Sequence, residues 1–267
     1  MNATIPTAEL DRWAEALARA GADAEPLGPP SEALPGLDVA GAYAIQQRGV
    51  EARLRAGASV VGRKIGLTSV AVQQQLGVSE PDFGALLSGM EAIDGASLDR
   101  GRLIAPRVEV EVAFVLGRAL EGPFVDEAAV TAATDHVRAA IEVVDSRIAD
   151  WRITLEDTVA DNASSAAFVL GTVPQPLDAL DVADLEAVLH RNGEEVERGN
   201  TSLVLGDPRT AVAWLANKLA SFELRLEAGD IVLSGACTRM VDAAPGDSFR
   251  AELGVLGELT IDFGGAR

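Results

Sequence analysis

The sequence predicts an α+β protein with a mixed, largely antiparallel sheet, and three observations carry that expectation. The predicted helices come first, within residues 1–57. Beyond residue 58 the apolar residues switch to period two, the signature of strands, with only a few helical runs between them. Hairpin signals join several of these strands, Asn192-Gly193 being the clearest. Residues 1–57 therefore read as a helical lead-in and residues 58–267 as a β-rich core, expected to form one continuous domain.

Taken in order, Thr7 is placed to cap a first helix in which Leu10, Trp13 and Leu17 share a face and Gly21 is the natural stop. Glu25-Pro26-Leu27-Gly28-Pro29-Pro30, with Pro35-Gly36 after it, reads as a linker or extended arm. Asp38 caps a second helix with Tyr43, Gln47, Val50 and Leu54 on one face, ended by Gly57. Val60, Val61 and Ile65 predict a strand. Gly62 and Gly66 bracket Lys64 there and let the backbone approach a ligand or a neighbour closely. Ser69 opens a short helix through Gln75, closed by Gly77. The segment Glu80-Pro81-Asp82-Phe83-Gly84 reads as a turn or loop presenting an acid.

Pro106 to Gly117 is a long alternating strand, with Val108, Val110, Val112, Phe114 and Leu116 on one face and Glu109, Glu111, Ala113 and Val115 on the other. Asp126 caps a helix carrying Val130, Ala133, His136 and Val137, and a strand follows through Glu142. Asp157 to Ser165 is dense in small polar groups and reads equally well as a solvated loop. Ala166 to Leu170 is a strand, and Leu185 to Arg191 with Glu195 to Arg198 forms the Asn192-Gly193 hairpin. Asp207-Pro208 opens a helix faced by Val212, Leu215, Leu219 and Phe222. Ile231 to Ser234 is a strand, and Phe249 to Leu253 pairs with Leu259 to Phe263 as a closing hairpin.

The bulk numbers narrow the functional classes. The 267 residues are 48% apolar, enough for a sizeable core, and carry a net charge of −19. Such a balance argues against nucleic acid and anionic membrane surfaces as partners. The one cysteine, Cys237, forms no disulfide within the chain, and the first residues show no secretory pattern, so a cytoplasmic location is expected. No apolar run is long enough to span a bilayer. There is no phosphate-binding glycine loop and no nucleophile elbow, and two histidines with one cysteine do not make a zinc site.

What remains is acidic. Glu109 and Glu111 stand two apart on one strand, so they project the same way and repel unless a positive charge lies between them. A half-exposed strand with its glutamates in water has the same pattern. Glu142, however, interrupts an apolar strand where a solvated charge is out of place. Together the three make a plausible oxygen-ligand site for a divalent cation. Lys64, between two glycines in an apolar strand, is costly to bury unless paired, either in a structural ion pair or beside such a site. Three carboxylates around a cation, with a lysine nearby, suit the stabilisation of an enolate derived from a 2-oxo acid.

These residues also carry a resemblance. Gly62-Arg63-Lys64-Ile65-Gly66-Leu67-Thr68-Ser69, Gln75-Leu76-Gly77-Val78, Pro81-Asp82-Phe83-Gly84, Pro106-Arg107-Val108-Glu109-Val110-Glu111 and the two blocks Asp145 to Trp151 and Asp157 to Ser165 resemble the 2-keto-4-pentenoate hydratases of the fumarylacetoacetate hydrolase superfamily. The resemblance spans about residues 36–263 in several separate blocks. It implies a β-rich core of the fumarylacetoacetate hydrolase C-terminal type with N-terminal helices. It further implies Mg2+ or Mn2+ on Glu109, Glu111 and Glu142, catalytic roles for Lys64 and Asp82, and substrate contacts from Leu67, Ser164, Ser234, Gly235 and Thr238. The reaction implied is addition of water to 2-hydroxypenta-2,4-dienoate or a relative, giving 4-hydroxy-2-oxopentanoate, a step of aromatic meta-cleavage catabolism. The partners implied are a small 2-oxo or 2-hydroxy dienoate, further copies of the chain in a homo-oligomer, and a pathway aldolase or decarboxylase. Two alternatives stand beside it: a 2-oxo-3-hexenedioate (4-oxalocrotonate) decarboxylase of the same superfamily, and a non-catalytic partner subunit. Such decarboxylases typically carry Tyr-Gly where this chain has Asp82-Phe83-Gly84. The chain departs from the hydratase pattern at Ala236-Cys237-Thr238-Arg239-Met240, where Arg239 reads either as facing the substrate tail or as a surface charge.

Overall fold

A computed structural model of the chain describes residues 5–69, 73–74 and 77–265. Three helices lead: α1 (Thr7–Asp23), α2 (Pro30–Ala33) and α3 (Val39–Arg55). Pro6, not Thr7, occupies the N-cap of α1 and makes no side-chain bond, and the helix runs past Gly21 to Asp23. One interior glycine costs a helix only about 1 kcal/mol. Packing of Leu10, Ala14, Leu17 and Ala20 outweighs that cost. The proline-rich arm is not a free linker. Ser31 in α2 donates its N–H and its hydroxyl to the two carboxylate oxygens of Asp157, at 2.8 and 2.7 Å. Asp38 caps α3 as expected, accepting from the Gly41 N–H at 2.8 Å. The buried face of α3 is Ala42, Tyr43, Ile45 and Gln46 rather than the stripe running from Gln47 to Leu54, and Leu54 is exposed.

The strands follow: β1 (Val60–Gly66), β2 (Asp82–Leu87), β3 (Glu91–Ala92), β4 (Ala96–Asp99) and β5 (Arg107–Leu116). Then come α4 (Glu127–Ala133), β6 (Thr134–Val144), α5 (Leu155–Ala160), β7 (Ser165–Leu170), β8 (Glu186–Arg191) and β9 (Glu194–Asn200). The chain closes with α6 (Pro208–Ala220), β10 (Ile231–Ala236), β11 (Val241–Asp242), β12 (Ser248–Leu253) and β13 (Glu258–Gly264). They build an eight-stranded sheet in the order β2-β1-β10-β5-β6-β7-β3, with β11 on the end of β5, and a five-stranded sheet in the order β4-β13-β12-β8-β9. The pairs β1–β10, β3–β7 and β4–β13 are parallel and the others antiparallel, so the sheets are mixed as expected. No helix among the described residues is long and apolar enough to cross a membrane.

Three local expectations are corrected. Asp82 opens β2 instead of lying on a loop, and it is buried. The helix after Asp126 stops at Ala133, and His136 and Val137 lie in β6, where Val137 pairs with Phe114 of β5. That long cross-strand pairing outweighs a weak local helical pattern. The Asp157 block is no solvated loop. Its first part ends the short helix α5, which a Thr154–Asp157 capping box opens and in which Asp157 to Ala160 are all buried, and its second part is a tight turn at Asn162–Ser164. The short helix expected from Ser69 to Gly77 falls largely outside the described residues.

The two faces of the eight-stranded sheet differ. Val108, Val110, Val112, Phe114 and Leu116 share one core with Leu189, Phe249, Ile261 and Phe263 of the five-stranded sheet. Each such side chain contributes about 1.5–3 kcal/mol by leaving water. The opposite face carries a smaller apolar cluster of Leu86, Ala113, Ala140, Phe168, Leu170 and Leu233. At one end of that second face the apolar residues give way to charge.

Candidate metal centre and active site

The strand register assembles the charged end. Glu109 of β5 stands directly opposite Glu142 of β6, and Glu111 is opposite Ala140. Like charges directly opposed on neighbouring strands destabilise a sheet. Lys64 reaches the same end of this face from β1, and Asp82 of β2 is paired with Gly66 beside it. The half-exposed strand reading therefore fails for Glu111, which is 1% exposed, while Glu109 is partly exposed; Glu142, expected in an apolar strand, is 0% exposed.

One carboxylate oxygen from each of Glu109, Glu111 and Glu142 lies within 4.8 Å of the others. Glu142 Oε1 accepts the Ser165 hydroxyl at 2.8 Å. Glu142 Oε2 receives no hydrogen bond and faces Lys64 Nζ as a charge at 3.1 Å. Glu111 Oε2 accepts the Gly235 N–H at 2.8 Å. Gly235 has φ +116°, and a Cβ there would overlap the Thr68 side chain, so glycine is needed to aim that N–H. Gly66 is similarly tight, because a Cβ on it would overlap Asp82 Oδ1. The close approach expected at Gly66 is thus to a neighbouring strand.

The electrostatics follow from burial. Desolvation pushes Glu109 up to about 7, Lys64 pulling it partly back while Glu142 and Asp82 add to the rise. Burial, then Glu142 and Glu109, hold Glu111 well above the usual carboxylate range. Burial also raises Asp82, against the opposing pull of Lys64. For Lys64, burial acts to lower the pKa, but Glu142, Asp82, Glu109 and Glu111 together more than offset it and keep the ammonium charged. The all-oxygen donor set, the orphaned Glu142 Oε2 and the excess of acid over base fit a hard divalent cation.

The remaining predicted residues divide. Ser234 presents a fully buried hydroxyl with no hydrogen-bond partner, and Leu67 sits just past β1 with φ +57°. Ser164 donates to Asp161 at 3.2 Å, Gly235 is spent on Glu111, and the Thr238 hydroxyl accepts from the Val110 N–H at 3.4 Å. Arg239 is a surface charge, 86% exposed and paired with Glu197 at 3.1 Å. His136 Nδ1 lies 2.8 Å from Asp135, and His190 Nδ1 lies 3.7 Å from Glu252 with no hydrogen-bond partner. Cys237 is wholly buried. Sequence reasoning missed the supports: Ser165 on Glu142, Thr158 against Asp82, and the Asp161–Arg147 pair beneath Ser164. Ser165 was detectable in principle, since it begins the strand that pairs with the Glu142 strand.

The chain is similar to known proteins along nearly its whole length. The model of the fumarylacetoacetate (FAA) hydrolase C-terminal family matches residues 71–263. The chain is 44% identical over 255 residues to the 2-keto-4-pentenoate hydratase of Paraburkholderia xenovorans (strain LB400), covering 96% of this chain and 95% of that one. It is 43% identical to the 2-hydroxyhexa-2,4-dienoate hydratase of Comamonas testosteroni, covering 90% and 92% of the two chains. The solved structure of 4-oxalocrotonate decarboxylase from Pseudomonas putida G7, complexed with magnesium and adipate, superposes with a TM-score of 0.96 at 34% identity, covering 98% of this chain and 100% of that one. The chain belongs to the 2-keto-4-pentenoate hydratase family of the fumarylacetoacetate hydrolase superfamily.

Proposed function

We propose that the chain is a divalent-metal-dependent hydro-lyase that adds water to 2-hydroxypenta-2,4-dienoate or a close analogue, giving 4-hydroxy-2-oxopentanoate. The observation that carries this reading is the three-acid cluster with Lys64 at 3.1 Å, in a chain 44% identical to a named hydratase. Glu109, Glu111 and Glu142 would hold Mg2+ or Mn2+, which supplies Lewis-acid polarisation of a 2-oxo acid when bound.

The chain's own groups account for the proton transfers. The dienol must first become the isomeric conjugated 2-oxo-3-enoate, losing the proton of its 2-hydroxyl and gaining one on C5. Asp82 suits that transfer, because burial favours its protonated form and its Oδ1 has no other partner. Water then adds at C4 and negative charge develops on the C2 oxygen. The Lys64 ammonium, held by β1, faces that charge and hydrogen-bonds it. The proton released by the attacking water ends on C3 as the enolate returns to the 2-oxo form, which completes the addition. The unpartnered Ser234 hydroxyl is free to bind the substrate carboxylate.

The shared fold with a decarboxylase makes that reaction the alternative, and one assay separates them. Purified protein with Mg2+ should consume freshly generated 2-hydroxypenta-2,4-dienoate to give 4-hydroxy-2-oxopentanoate. Faster release of carbon dioxide from 2-oxo-3-hexenedioate would reverse the assignment.

Chelation gives a second test. Glu109 has a folded pKa of about 7 against an ordinary value of 4.5, so it stabilises the metal-free fold while protonated, and that contribution is lost as pH rises through about 7. A bound cation removes the penalty and competes with the proton. Adding a chelator should therefore lower the melting temperature more at pH 8 than at pH 6. Equal shifts at both pH values would argue against a metal on these acids.

A further inference from the structure

The acid assigned to proton transfer sits on an unusual strand. β2 is the outer strand of the eight-stranded sheet, with β1 on one side and no strand on the other among the described residues. A free sheet edge leaves N–H and C=O groups unpaired. Here two side-chain amides fill that edge. The amide of Gln46, buried in α3, donates to the Phe83 carbonyl at 2.9 Å and to the Val159 carbonyl at 2.9 Å. Asn162 behaves as a surrogate strand: its Oδ1 accepts the Ala85 N–H at 2.7 Å and its Nδ2 donates to the Ala85 carbonyl at 2.9 Å.

These contacts bear on Asp82 from two directions. Phe83 and Ala85 lie one and three residues beyond it, so the two amides hold the segment that aims its carboxylate. Gln46 also ties down Val159, next to the Thr158 that rests against Asp82. Tyr43, one turn before Gln46, stacks on Phe83 with ring centroids 4.6 Å apart. Asn162, Ala163 and Ser164 all adopt positive φ, at +54°, +50° and +54°, a run that non-glycine residues avoid and that the surrounding contacts must maintain. Between the anchors, a Cβ on Gly84 would press on the Asn162 carbonyl oxygen at 2.5 Å, so the turn and the strand touch directly.

We propose that Gln46 and Asn162 are positioning residues that complete the free edge of β2 and thereby fix Asp82 against Lys64. The proposal rests on the reading of Asp82 as the proton-moving group. It makes the helical lead-in part of the active-site support through α3.

The test uses the Mg2+-loaded chain with 2-hydroxypenta-2,4-dienoate. Gln46→Met keeps the length and removes both donors, and Asn162→Gly keeps the left-handed backbone and removes the amide. A misplacement of about 1 Å costs on the order of 10²-fold in rate, so each variant should lose about 10- to 100-fold in kcat. KM, and Mg2+ affinity measured by calorimetry without substrate, should stay within about two-fold, because neither residue touches the three glutamates or the buried Ser234 hydroxyl. Hydrogen exchange of the peptide spanning 82–87 should quicken in both. In an Asp82→Asn background the same substitutions should cost less than about three-fold, since effects on one shared group are not additive. An unchanged kcat, or a full loss repeated in the Asp82→Asn background, overturns the positioning role and leaves the reading of Asp82 standing. An Asp82→Asn enzyme with wild-type turnover overturns both. If Gln46→Met does not fold, Asn162→Gly, whose amide touches β2 alone, decides the matter.

Discussion

Glu142→Gln is expected to abolish turnover and to weaken Mg2+ binding by about 10²-fold or more, while the protein still folds. Altering a residue that merely supports a metal ligand costs about 10- to 100-fold in affinity, and Glu142 is proposed as a ligand itself. The substitution preserves shape, and the Ser165 hydroxyl can still donate to the amide oxygen in place of Oε1. What changes is charge. Glu142 is wholly buried, its Oε2 has no hydrogen-bond donor, and it stands opposite Glu109 in the register. Neutralising it relieves the like-charge repulsion that adds to the desolvation-driven rise of Glu109 and Glu111, but it also takes from buried Lys64 its nearest acid, so the two effects oppose and the metal-free variant should stay folded at pH 8. Calorimetric titration with Mg2+ and a thermal melt with and without chelator check both halves. Wild-type Mg2+ affinity would remove Glu142 from the site.

The outline of this arrangement was legible in the sequence because strand periodicity is local. Period two alone puts Glu109 and Glu111 on one side of β5, and the oddity of Glu142 in an apolar run needs only its neighbours. The opposition of Glu109 and Glu142 is a different kind of fact. It depends on the register between β5 and β6, which pairing along ten residues of β5 sets and which no short window contains. Asp82 was misread for the same reason. Pro81 and Gly84 signal a turn locally, yet the pairing of Gly66 with Asp82 and of Lys64 with Gly84 makes the segment a strand. Gln46 was invisible because its partners, Phe83 and Val159, lie 37 and 113 residues away. The left-handed turn at Asn162 to Ser164 contains no glycine, so composition gave no hint of its backbone. Glu109, Glu111, Glu142 and Lys64 stand out against their own neighbours in the sequence, whereas Gln46 and Asn162 act through long-range hydrogen bonds that no local window contains.

Lys64→Met is the second substitution with a large expected effect, and its consequences separate charge from catalysis. Lys64 is the cation that the buried acids Glu142, Asp82 and Glu111 and the partly exposed Glu109 share, and its side chain is only 5% exposed. Removing one partner of a buried ion pair typically costs about 3–5 kcal/mol. Here the penalty should be smaller at low pH, because the acids already titrate high and can take up protons in place of the lost ammonium. The metal-free variant should therefore lose more thermal stability at pH 8 than at pH 6 relative to wild type. Mg2+ should restore most of that loss and should bind at least as tightly as in the wild type, since a competing positive charge has gone. Turnover should not return with stability. With no ammonium to meet the charge developing on the C2 oxygen, kcat should remain down by about 10²–10⁴-fold in the Mg2+-loaded, fully folded variant. A purely structural lysine predicts the opposite pairing, in which Mg2+ recovers the melting temperature and the rate together.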